Sequence, residues 1–279
     1  MIDKSLSRGL AERVLDEMSV LGRTYTRRVA QVFRMVPAKR HAVQHMARAV
    51  AAAGEACCLT QVIGNHPKWR WASSCAFIPH VQERNAAAER TMYFVPLRAY
   101  FHVDRPSLLD PEAPAVLAVN EHALERLFQR LNVLDPAAVK EELHDAICMA
   151  LYLLNAARRA RLRQVVLPTR SGAFLCSVEP AGLVAKTWIA ESAGPCRHGE
   201  PMRLARDYFA DVGGEEGLGA EIGALPIHAP LSIIEAPAGL VRALAGIAWL
   251  REAYVRRPDP VGEGWRRARG QQELEPRAA

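Results

Sequence analysis

The sequence contains no uninterrupted apolar run of the length that crosses a bilayer, and no basic segment followed by an apolar one near its start. A membrane span and a secretory signal are therefore not expected, and a cytoplasmic location is. A C-x-x-C pair is also missing. Cys57, Cys58, Cys75, Cys148, Cys176 and Cys196 follow no regular spacing, so free, buried thiols are expected in place of a disulfide framework. Cys196-x-His198 and the Cys57-Cys58 pair each offer two ligands, but no four-ligand set of matched spacing assembles, and no metal is expected. There is no Gly-rich phosphate loop, G-x-S-x-G elbow, H-E-x-x-H or EF-hand pattern. These gaps disfavour an ATPase, a serine hydrolase of the α/β type and a metalloprotease, and they leave no expected cofactor.

Among its cations the chain has little lysine and much arginine. Of 279 residues, 50% are hydrophobic and 24% charged, an ordinary globular balance that accommodates one large domain or two modest ones. The formal net charge of +6 is carried mainly by arginine. The planar arginine fork suits phosphate, so nucleic acid is a permitted partner, although a GC-rich genome produces the same bias.

Periodicity divides the chain. Leu10, Val14, Leu15, Met18 and Leu21 recur at helical spacing within a helix expected over Ser5 to Arg34, with Gly22 as a candidate interruption. A second helix is expected from about Lys39 to Ala53, stopped by Gly54. Leu59–Ile63, Ser74–Ile78 and Met92–Val103 have strand composition, with 82–90 between them as a loop or short helix. Three prolines make Asp104–Pro114 a linker and a domain boundary. Beyond it come a short strand (Val116–Val119), a helix from about Glu121 to Leu131, and a helix that Asp135-Pro136 starts and that runs to about Arg161. Strands at Val165–Thr169, Ala173–Val178 and Leu183–Ile189 follow, the last two as an antiparallel hairpin around Glu179-Pro180-Ala181-Gly182. Ala193–Pro230 is expected to be irregular, Ala236–Val255 helical, and the tail from Arg256 frayed. The fold class is α+β: a helical N-terminal region, then helices packed on a small antiparallel sheet. The expected units are 1–104, with a possible recognition role, 115–192, and 193–279.

One helix has chemical promise. His122, Arg126 and Arg130 are spaced by four, which puts them in one stripe, while Leu124, Leu127, Phe128 and Leu131 gather on the other face. Histidine titrates near neutrality and serves as acid or base, and two arginines on a rigid face can hold phosphate oxygens while charge builds on them. The same stripe is also what a solvated helix face looks like.

Residues Glu121 to Arg130, followed by Val139-Lys140-Glu141-Glu142-Leu143, resemble the H-A-x-x-R-x-x-x-R helix and following helix of the BrnT/RelE-like ribonuclease toxins and the related DUF4258-type proteins. The resemblance covers roughly 115–192. It implies a metal-independent endoribonuclease of bacterial toxin or defence type, with His122 as acid or base and Arg126 and Arg130 on the phosphate. Thr169, Arg170, Ser171, Lys186 and Thr187 would complete the site. It departs from the pattern in its longer second helix and in the size of the chain. Trp188 is a stacking surface on this reading and a core residue on the plain one.

Other constellations compete. Arg40-His41-Ala42-Val43-Gln44-His45 resembles the R-[NDH]-x-x-x-H motif of HEPN ribonucleases, but the strands after Gly54 depart from a helical bundle. Lys68, Trp69, Arg70 and Trp71 interleave cations with aromatics, a pattern that binds nucleic acid or covers a core edge. Arg158–Arg163 is a basic run at a helix C-terminus, where the dipole favours it regardless of function. Arg256-Arg257 and Trp265–Arg269 form a basic tail. The leading expectation is an RNA-cleaving enzyme, with RNA as its substrate and a protein partner or inhibitor. The alternative is a non-catalytic regulatory or interaction protein that binds protein or nucleic acid. The oligomeric state is not readable.

Overall fold

The computed structural model describes residues 2–34, 43, 45–46, 48–49, 58–64, 71–83, 89–102, 105–110, 115–191, 198–225, 234–236 and 238–251. The protein is α+β. Helix α1 spans Lys4–Phe33, and the strands β1 (Cys58–Gly64), β2 (Trp71–Glu83), β3 (Arg90–His102), β4 (Arg105–Asp110) and β5 (Leu117–Asn120) follow. Helices α2 (Glu121–Leu131) and α3 (Pro136–Arg159) lead into β6 (Gln164–Pro168), β7 (Gly172–Glu179) and β8 (Gly182–Ala190). Helices α4 (Gly199–Asp211), α5 (Gly214–Ala224) and α6 (Ala238–Gly246) close the described chain, the last followed by a short 3₁₀ turn at Ala248–Leu250.

The sheet is larger than the small antiparallel one expected from the second half. It has eight strands in the order β1-β2-β3-β5-β8-β7-β6, with β4 paired to β3 beside β5. Every pair is antiparallel except β5 with β8. That parallel seam is non-local, and the antiparallel β3–β5 pairing carries the sheet across the Asp104–Pro114 segment. The supposed linker itself contributes β4 at Arg105–Asp110. Its prolines hid a strand of six residues.

Both long strands contain a proline, and each proline lies where an edge is free. Pro96 falls between the stretch of β3 paired to β5, which ends at Phe94, and the stretch paired to β4, which starts at Arg98. Pro79 lies beyond Phe77, the last residue of β2 with a β1 partner. A residue with no N–H is tolerated in such places because no ladder bond is lost.

Helix α3 is the centre of the main core. Ala146 through Ala157 are buried without interruption, the mark of a helix surrounded on all sides. It touches β1 at one margin of the sheet and β6 at the other, so the sheet curls around it. Each fully buried leucine or isoleucine there stabilises the fold by roughly 1.5–3 kcal/mol. Leu143, Ile147 and Leu154 are of this kind.

Helix α1 serves two cores. Ala11, Val14, Leu15 and Met18 belong to the main one, with Cys75, Phe77, Met92 and Phe94 of β2 and β3. Tyr25 and Val29 belong to a second one, with Ala76, Ile78, Leu97, Ala99 and Phe101. Alternate residues of a strand point to opposite faces, so the helix passes from one face of the sheet to the other. Leu21 touches both cores. Gly22 does not interrupt the helix. It lets α1 pass β2, since a Cβ there would fall 2.0 Å from the Pro79 carbonyl oxygen.

Two further expectations are corrected. Ala193–Pro230 is not irregular throughout: α4 and α5 occupy most of its described residues, with Met202, Ala205, Leu218 and Ile222 buried. Of the helix expected over Ala236–Val255, the described residues show Ala238–Gly246 as α-helix and Ala248–Leu250 as a 3₁₀ turn, and 252–255 lie outside them. The helix expected from Lys39 to Ala53 lies mostly outside the described residues, of which 43, 45, 46, 48 and 49 are helical. No helix among the described residues is long and apolar enough to cross a membrane.

Candidate nucleic-acid interface

The stripe sits on a helix that is capped at both ends and packed on one side. The Asn120 side chain accepts from the Ala123 N–H at 2.8 Å, and Asn132 ends α2 in the left-handed region (φ 56°) with its N–H donating to the Phe128 carbonyl. Ala123, Leu124, Leu127 and Phe128 are fully buried in the main core. Two polar groups at the margin of that face bind α1 and β3. The buried Glu121 carboxylate accepts from the Arg90 N–H at 3.4 Å and pairs with Arg8 at 3.4 Å. The Gln129 amide donates to the Ser7 hydroxyl at 2.9 Å. A helix held this way presents its outer side rigidly.

His122, Arg126 and Arg130 are all exposed, in one row. The His122 ring lies with Nδ1 3.7 Å from the carboxylate of the nearly buried Glu125. Arg126 donates to the Gln129 side-chain oxygen at 3.1 Å. Arg130 donates to the Trp188 carbonyl of β8. Partial burial, and then the neighbouring Arg126 cation, push the Arg130 pKa below the usual arginine range. Two cations one turn apart repel each other, and an anion bridging them would relieve that repulsion.

The other residues assigned to this site by sequence are engaged elsewhere. Lys186 pairs with Glu179 of β7 at 2.9 Å, and the Ser177 hydroxyl donates to the same carboxylate oxygen. Thr187 is half-buried opposite Leu175. Arg170 pairs with Glu141 and, at 3.5 Å, with Asp145 of α3. The Asp145 pKa is raised, because burial outweighs the nearby Arg170 and His144 charges. Thr169 is buried, its hydroxyl accepting from the indole N–H of Trp188 at 3.2 Å. The Ser171 N–H donates to the buried Glu142 carboxylate at 3.1 Å. Trp188 is wholly buried, which is the core reading of that residue. The structure thus keeps His122, Arg126 and Arg130 together and holds Lys186 and Arg170 in ion pairs and Thr169 and Trp188 in the core.

Lys68, Trp69 and Arg70 lie outside the described residues. Trp71 opens β2 opposite His102. Most of the Arg40–His45 motif and the tail from Arg256 also lie outside the described residues. Arg158, at the end of α3, donates to the Pro180 carbonyl, and Arg159 pairs with Glu235, so part of that basic run is structural. Cys75, Cys148 and Cys176 are free and buried. Burial pushes the Cys75 thiol up to about 12, which leaves it unreactive at neutral pH. Among the described residues, no cluster of three or more His, Cys, Asp or Glu side chains is placed to hold a metal ion.

Two features escaped the sequence reading. Arg206 of α4 reaches back to the carbonyl of Thr169 at 2.6 Å and also pairs with Glu191, tying down the β6–β7 turn. Arg23 and Arg27 of α1 line a groove beside β2. The only signal for the second was a spacing of four between two arginines, which any solvated helix face provides. No protein-family model, curated protein or solved structure matches the chain.

Proposed function

We propose that this chain is a non-catalytic binding protein that uses the outer face of α2 to hold the phosphate backbone of a nucleic acid. One observation carries the reading: His122, Arg126 and Arg130 form an exposed row on a capped, packed helix, while Lys186 is paired with Glu179 and the Thr169 hydroxyl is bonded to the Trp188 indole. Two fixed arginines beside a histidine donor give charge-assisted bonds to successive phosphates without the entropy loss of ordering a loop. The expected partner is RNA or DNA bound through its backbone, with little preference for sequence.

A second reading is retained because of one contact. The Glu125 carboxylate near His122 Nδ1 would orient the imidazole and leave Nε2 outward, as a general base requires. On that reading the chain is the metal-independent ribonuclease that the toxin resemblance implies. A single comparison separates the two. Wild type and a His122→Ala, Arg126→Ala double variant are incubated with a short single-stranded RNA, reading both anisotropy and strand integrity. Intact RNA, with affinity at least about tenfold weaker in the variant, supports the binding protein; two charge-assisted bonds are worth that much. Fragmentation that the variant abolishes transfers the assignment to the ribonuclease. Neither binding nor cleavage by wild type ends both readings.

A further inference from the structure

The passage of α1 from one core to the other leaves a polar groove. β1 stops pairing at Phe77, so beyond it the outer edge of β2 meets α1 instead, with closest approach at Gly22 and Pro79. The concave space is about 390 Å³, with Ser19, Arg23, Thr26 and Arg27 on the α1 side and Pro79 and His80 on the β2 side. A second space of about 450 Å³ shares Ser19 and Arg23 with it and adds Asp16 and Arg90. Together they form one trough along the helix.

Its charge is unbalanced. Among the described residues, Asp16 is the one carboxylate lining the two spaces, and Arg90 Nη2 holds it at 2.7 Å. Arg23 and Arg27 have no carboxylate partner among the described residues. The buried Nε of Arg90 donates to nothing among the described residues. A concave wall of low dielectric concentrates the field of such cations. Desolvation holds the His80 imidazole below its usual value, so at neutral pH it is a neutral hydrogen-bonding group at the rim.

We propose that this groove binds a phosphate ester, with Arg23 and Arg27 as forks on its oxygens and Ser19, Thr26 and His80 completing the shell. After Asp16 has neutralised Arg90, two positive charges remain. A dianionic phosphate matches them, whereas a carboxylate would leave one uncompensated. The space is of the size that small-molecule sites have. A free nucleotide supplies that charge on one terminal phosphate, and a phosphodiester strand supplies it as two successive monoanionic phosphates. The groove shares no residue with the row on α2, so the proposal does not depend on the function assigned to that row.

The test uses the full chain and three probes: inorganic phosphate, adenosine monophosphate and a short single-stranded RNA. Titration calorimetry is run on wild type, on Arg23→Ala with Arg27→Ala, and on Arg203→Ala, an exposed arginine of α4 that lines neither space. The expected result is binding of phosphate and of at least one ester by wild type, a loss of at least about tenfold in the Arg23/Arg27 variant, and no change of the monophosphate affinity in the Arg203 variant. Monophosphate binding with no added RNA affinity assigns a small ligand. RNA binding whose salt dependence becomes shallower in the Arg23/Arg27 variant assigns a strand. Absence of binding by wild type to all three probes overturns the proposal. So does unchanged affinity in the Arg23/Arg27 variant at an unchanged melting temperature.

Discussion

The β6–β7 turn and the groove beside β2 are both built with arginines, and they differ in what faces those arginines. At the turn, every cation has a partner in the protein. Arg170 faces Glu141 and Asp145, Arg206 faces Glu191 and the Thr169 carbonyl, and the Glu142 carboxylate receives the Ser171 N–H. In the groove, the one carboxylate is already taken by Arg90, and Arg23 and Arg27 are left over. Paired charge is a device for fixing a turn, while unpaired charge in a hollow is a device for meeting something outside. Arginine content alone cannot tell them apart.

The comparison can be broken at its structural end first. Trp188→Ala removes a fully buried indole and its bond to Thr169, and should destabilise the fold by about 3–5 kcal/mol. Urea denaturation measures it. A loss below about 1 kcal/mol would mean that the turn is not anchored through this residue.

A matched pair of truncations then sharpens the contrast. Arg206→Ala strips the Thr169 carbonyl and Glu191 of their partner and should cost about 1–3 kcal/mol, with faster amide exchange at Thr169 to Gly172. Arg23→Ala should change stability by less than about 0.5 kcal/mol, since nothing in the fold depends on its charge. Equal effects in the two variants would erase the distinction between the regions.

The smallest effect is a pH dependence. Hydrogen bonds from Lys140 and Arg13, in that order, lower the Glu17 pKa. A carboxylate whose pKa is depressed by folding contributes stability above its unfolded value, and that stability is lost as pH falls through the folded one. Both Glu17 and Lys140 are partly exposed and 2.5 Å apart, so the contribution is held to a few tenths of a kcal/mol by solvent screening. Melting curves of wild type and Glu17→Gln should converge on acidification, and a difference that grows toward low pH would contradict the linkage.

Local signals in the sequence located the elements that local chemistry builds. Asp135-Pro136 marks the start of α3, where the Asp135 side chain caps the Ala137 N–H. The apolar face of α2 and the β7–β8 hairpin also follow from spacing and turn residues. What was missed depends on partners far away in the chain. β4 is a strand only because β3 supplies its ladder. The β5–β8 seam joins residues more than sixty apart. Helix α5, with four glycines in its sequence, has poor propensity and is held by burying Leu218 and Ile222. The stripe on α2 was legible for the same reason as its helix. The groove was not, because Arg23 and His80 meet only once the sheet has formed.

The double allegiance of α1 also bears on how the molecule breathes. A 30-residue helix anchored on opposite faces of one sheet is a strut. Residues 25–29 cannot lift from the outer face without levering the segment 11–18 out of the main core, unless the rod bends at Gly22, where α1 passes within a Cβ's reach of Pro79. If the rod stays straight, amide protons in both segments should exchange through one shared opening event with a common denaturant dependence, although they protect different cores. If it bends, the outer segment should exchange first and alone, and the groove at the bend would open and close with it.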